Sequence, residues 1–174
     1  MHPHKLVLIL AAVALLWAPP ASAQTQGPWT FTSSILKSVA RDPATYAPGP
    51  LKYQAMRLDW DSSQIFFQHG FVERNPRYTA SGLPNDVALS HAAGNRRLAL
   101  DSAVVLGHAV TVSLAERAAE SLLIRRFPQH RKVLLVAGRA VRILGASYLS
   151  YSTSMAHVQQ WRRNERLARR LGFK

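Results

Sequence analysis

The chain has 174 residues, enough for one domain and short of two comfortable ones. It contains no cysteine, which excludes disulfides, thiolate metal sites and a cysteine nucleophile. A formal charge of +13 points to an anionic partner. With no zinc-finger spacing and no aromatic-basic RNA signature, nucleic acid is not expected to be that partner.

Residues 1–23 read as a secretory signal. Lys5 and two histidines make a short basic start, residues 6–17 (LVLILAAVALLW) are apolar, and Ala21-Ser22-Ala23 is an A-x-A cleavage signature. The apolar run is shorter than the roughly 20 residues that span a bilayer. The expectation is cleavage after Ala23 and an exported, bacterial-type protein of the cell envelope, the alternative being an uncleaved anchor.

Residues 24–50 read as a loosely structured leader, interrupted by Gly27, Pro28, Pro43, Pro48, Gly49 and Pro50, with a short helix at 33–41. Residues 51–174 form the main domain. A helix is expected over 51–74, ended by Asn75-Pro76 because the residue before proline leaves the helical region. A loop rich in Pro, Gly, Ser and Asn follows at 76–95, then helices at 96–127 and 131–171. No segment alternates apolar and polar residues over a strand's length. The sequence therefore predicts an all-α, three-main-helix bundle after a cleaved signal peptide.

On a wheel of 3.6 residues per turn, Val141, Leu144, Tyr148, Tyr151, Met155 and Val158 share one face of the last helix. Arg139, Arg142, Ser150, Thr153, His157, Gln160 and Asn164 lie opposite. The apolar face continues into Arg162, Arg166, Arg169 and Arg170, as a lipid-facing stripe does on reaching head groups, with Trp161 at the interface. The preceding helix is flanked by arginines and apolar all round, which suits burial in a large core or in a membrane. Arg139, Arg142, Asp101 and His108 oppose insertion of either helix alone, at about 2.5–3.5 kcal/mol per central Arg, Lys or Asp. A hairpin with polar stripes facing each other would remove that objection. A membrane-embedded bundle and a soluble or peripheral envelope bundle both stay open.

The helix at 51–74 is too polar to span. Asp59, Ser62, Phe66, His69 and Glu73 fall on one face, with His69 and Glu73 spaced to pair. Its expected partners are the polar sides of the other two helices. The candidate network is Asp59, Asp61, Ser62, His69, Glu73, Asn75, Asp101, His108, Arg139, Arg142 and His157. The terminal WRRNERLARRLGFK places Arg162, Arg163, Arg166, Arg169 and Arg170 against Trp161, Leu167, Ala168 and Leu171, a pattern that lies on anionic membrane surfaces. Trp161 and those five arginines are the candidate lipid-binding residues, and a solvated, frayed terminus is the bland alternative.

The residues D-S-S-x6-G-x2-E-x-N-P, here Asp61, Ser62, Ser63, Gly70, Glu73, Asn75 and Pro76, resemble a signature of small uncharacterised bacterial membrane proteins of a domain-of-unknown-function type. The match covers about a tenth of the chain, and its helix is more polar than a typical span. The resemblance implies multi-helix membrane association and no known reaction.

His69, Glu73, Asp101, His108 and His157 are metal-compatible side chains, yet they lack the E-x-x-H and H-E-x-x-H spacings, and structural hydrogen bonds are the reading preferred for them. No nucleophile elbow, P-loop or dinucleotide fingerprint occurs. No catalytic residue, metal site or cofactor is assigned. The function expected is structural or interactive, with an anionic lipid surface or an envelope protein as partner. The alternatives are a soluble periplasmic module that binds anionic lipid or another polyanion, and a metal-dependent enzyme.

Overall fold

The computed structural model describes residues 28–173. The expected signal segment lies outside them. The fold is all-α, with no strand among the described residues. Its helices are α1 (Pro28–Ala40), α2 (Pro43–Tyr46), α3 (Pro48–Gln68), α4 (His91–Arg126) and α5 (Arg131–Leu171).

Where a loose leader was expected, α1 and α2 account for most of the described residues. Pro43 and Pro48 each stand at a helix start, where proline's fixed φ suits the helix and its missing N–H costs nothing. Read as breakers, they are in fact starters.

Helix α3 is shorter than the sequence suggested. It stops at Gln68, and Gly70 takes φ +82°. Gly70 N–H donates to Phe67 O at 3.1 Å, and Phe71 N–H donates to Phe66 O at 3.1 Å. The Phe66 and Phe71 rings meet edge to face at 5.6 Å. This is a Schellman stop with its apolar clasp, and it ends the helix before Asn75-Pro76 can act. The same device ends α5. Gly172 has φ +71°, and Phe173 N–H donates to Ala168 O at 3.0 Å.

Helix α4 starts at His91, earlier than expected, because Ser90 Oγ accepts from Ala93 N–H and caps it. The loop before it is ordered by its own hydrogen bonds. Glu73 and Asp86 exchange backbone bonds of 2.9 and 3.1 Å, and Leu89 N–H donates to Tyr78 O at 2.7 Å.

The chain divides into two compact units, and the long helices α4 and α5 each contribute to both. The first joins the segment ending at Tyr46 to His108–Ala146, and the second joins Ala47–Gly107 to Ser147–Lys174. The apolar core of the second is Met56, Trp60, Tyr78 and Leu98, with Phe67 and Leu89 packed against it. Gly94 lets the Trp60 ring lie directly on the α4 backbone, since a Cβ there would collide with the indole.

Candidate functional site

The chemistry-bearing side chains gather in three places. In the second unit, the polar face of α3 meets the polar face of α5. His157 Nδ1 lies 2.8 Å from Asp59 Oδ2. An ionised carboxylate only accepts, so Nδ1 carries the proton in this pair. Asn164, 7% exposed, donates to Ser62 Oγ at 3.0 Å and Ser63 Oγ at 2.9 Å. Gln160 Nε2 donates to Asn164 Oδ1 at 2.8 Å. Lys52 Nζ reaches the Thr153 carbonyl at 2.6 Å. Burial lowers the Lys52 ammonium below its ordinary 10.5, opposed by the attraction of Asp101 and Asp59.

A second cluster sits where the loop joins α4. Asp101 accepts from Arg77 and, at 2.9 Å, from the buried Tyr78 hydroxyl, and it lies 3.9 Å from Arg97 Nε. Burial and then the bond to Asp101 raise the Tyr78 phenol well above its ordinary 10.0.

The third cluster belongs to the first unit. Arg142, 7% exposed, pairs with Glu120 and lies 3.5 Å from Asp42, which also takes Arg117 at 2.6 Å. Two buried hydroxyls, Thr45 and Ser113, bond at 3.0 Å beside α2.

The single network expected from the sequence is thus distributed over separate clusters. Asp59, Ser62 and His157 do come together, with Ser63, Thr153, Gln160 and Asn164. Glu73 does not join them. Because α3 ends at Gly70, Glu73 has left the helix, and its carboxylate caps Asn75 N–H at 2.7 Å. The expected His69–Glu73 pair is likewise absent among the described interactions. His69 Nδ1 bonds Ile65 O at 2.7 Å, and its ring stacks on Phe173 at 3.8 Å. Asp61 is exposed and holds Arg57 at 3.1 Å and His91 at 2.9 Å. Asn75 caps Arg77 N–H at 3.1 Å. Asp101 is taken by the loop, and Arg142 by Glu120 and Asp42. Arg139 and His108 are exposed.

Arg162, Arg163, Arg166, Arg169 and Arg170 are all exposed, and Trp161 is half-buried. The same turns contact α3 through Asn164, and Phe173 beyond them packs on Phe66 at 5.8 Å. Sequence reasoning missed Asp42, Arg117 and Glu120. For Arg117 and Glu120 the signal was charge inside an otherwise apolar stretch; Asp42, between Arg41 and Pro43, carried none.

Among the described residues no group of three or more His, Asp or Glu is arranged to hold a metal ion. The chain matches no family model, no curated protein and no solved structure.

Proposed function

We propose that this is an exported cell-envelope protein of structural or interaction type, with α4 and α5 embedded in the membrane and α3 held against the polar side of α5. One observation carries the reading. Within each unit α5 buries a polar residue and exposes apolar ones, while Arg139 and Gln160 of its polar stripe are exposed and Met155 and Val158 of its apolar stripe are half-buried. Arg142 and Asn164 are buried, while Val136 is 71%, Leu144 68% and Tyr151 63% exposed. A water-soluble helix is arranged the other way round. Helices α4 and α5 are long and apolar enough to cross a bilayer, and few residues of either apolar stretch are buried.

The pairing of Arg142 with Glu120 and Asp42 supports the same reading, because it takes that charge off the lipid-facing side. Arg139 stays exposed, at about 2.5–3.5 kcal/mol on insertion scales. The seven aliphatic residues Val133, Leu134, Leu135, Val136, Val141, Ile143 and Leu144 return a comparable sum, about 2–4 kcal/mol.

A peripheral reading, in which a soluble envelope module binds anionic lipid or another polyanion, is favoured by the exposed arginines of the last turns of α5. Fractionating envelopes separates the two. An integral protein stays in the membrane through high salt and carbonate and leaves only with detergent. A surface-bound one leaves at high salt, where exposed charges are screened. Release into low-salt buffer rejects both. Mass spectrometry of the same fractions reads the leader: a chain beginning at Gln24 is expected, and intact Met1 in the mature pool would refute export by cleavage.

A further inference from the structure

A cleft of about 520 Å³ opens between the loop after α3 and the start of α4. Arg77, Arg96 and Arg97 line it, with Thr79, Ser81 and Leu100. Its walls are built. The loop side is held by the Glu73–Asp86 and Tyr78–Leu89 backbone bonds, and by the Tyr78 hydroxyl on Asp101. Asp101 is the carboxylate that meets this cluster, and it is shared between Arg77 and Arg97. Arg96 has no carboxylate partner among the described residues. Three guanidiniums against one carboxylate leave the cleft cationic, with forked donors suited to bidentate phosphate binding.

The cleft also has a direction. Arg96, Leu100 and Val104 follow at four-residue intervals and so share one face of α4. Leu100 is 60% exposed and Val104 71%. The shallow cationic cleft therefore adjoins an exposed apolar stripe on α4, a sequence of charge and apolar surface that suits an anionic amphiphile.

We propose that this cleft is a specific binding site for an anionic phospholipid. Its phosphate is held by Arg96 with Arg77 and Arg97, and an acyl chain lies along Leu100 and Val104. The source of the lipid rests on the membrane reading above, while the chemistry of the site rests on the cleft itself.

Native mass spectrometry of the full chain released from detergent, after incubation with phosphatidylglycerol or phosphatidylcholine, tests it. Phosphatidylglycerol is retained in preference to phosphatidylcholine. Arg96→Gln weakens that retention about tenfold, the cost of one charged hydrogen-bonded contact. Arg96→Lys, which keeps the charge and loses the fork, falls between, and Arg41→Gln, at an exposed arginine just after α1, leaves retention unchanged. Among the described residues Arg96 makes no ion pair, so these variants keep their helical circular dichroism. Equal retention of both lipids, an Arg96→Gln protein that binds as before, or full displacement of the lipid by inorganic phosphate overturns the proposal. The membrane reading fails by a different result, release into low-salt buffer. Arg96-dependent phosphatidylglycerol binding by such a released protein would keep the cleft site and remove the membrane-embedded reading.

Discussion

His157 of α5 holds Asp59 of α3 through a 2.8 Å contact between its Nδ1 and the carboxylate. The contact explains how a helix as polar as α3 is accommodated. Its hydroxyls and carboxylate turn to the polar stripe of α5, where each finds a donor or acceptor. The cost of removing polar groups from water is met by hydrogen bonds made within the protein.

Asn164 is the clearest test of that contact. Its amide nitrogen has two protons and three acceptors in range, Ser62, Ser63 and, at 3.5 Å, Asp59. The serines take the two good bonds. Asn164→Ala leaves both serine oxygens without that donor, and an expected loss of about 1–3 kcal/mol is read by chemical denaturation. Asn164→Asp replaces the donor by a carboxylate close to Asp59 and is expected to be at least as harmful.

Arg142 and Glu73 are expected to behave in opposite ways. Arg142→Ala strands Glu120, whose side chain is only 9% exposed, and removal of one member of such a pair costs about 3–5 kcal/mol. Glu73→Ala loses one capping bond to Asn75 N–H, about 0.5–2 kcal/mol. Thermal melts of the two variants under one condition decide the order. If Glu73→Ala were the more damaging, the polar clusters described above would be wrong.

Glycine-to-alanine changes in α4 are expected to have opposite signs. At Gly94 the new methyl meets the Trp60 ring, and overpacking of this kind costs about 1–3 kcal/mol. At Gly107 no described residue lies within 4 Å of the added carbon, so helix propensity favours alanine there, and a gain of about 0.5–1 kcal/mol is expected. Melting temperatures of the two variants against the parent give the answer directly.

Tyr78 predicts a specific alkaline response. Its phenol titrates above the ordinary 10.0 in the folded chain, so in that range the folded state holds a proton that the unfolded state has lost. Its contribution to stability is therefore complete below pH 10 and falls as pH rises beyond it. Tyr78→Phe removes the hydroxyl, and the denaturation free energy of that variant should decline less steeply above pH 10 than the parent's. Identical slopes would show that the hydroxyl is not held as described.

The all-α class, the bounds of α5 and the two-faced character of that helix were legible in the sequence, because periodicity and the absence of alternation are local properties of the chain. That the polar face of the helix at 51–74 needs a polar partner was an expectation from the sequence, but its expected contacts were Asp101, His108, Arg139 and Arg142, whereas Asp59 and Ser62 meet His157 and Asn164. The chain also carried the Gly70 and Gly172 stops and the Pro43 and Pro48 starts, but those residues break helices as readily as they bound them, and their role depends on the hydrogen bonds around them. Which charge meets which was decided by tertiary structure alone. Asp101 went to Arg77 and Tyr78 because the loop folds back on α4, and Arg142 went to Glu120 and Asp42 because their helices and turn converge in the first unit. Ion pairs between segments distant in sequence depend on distances of a few ångströms, and no spacing along a single helix encodes those.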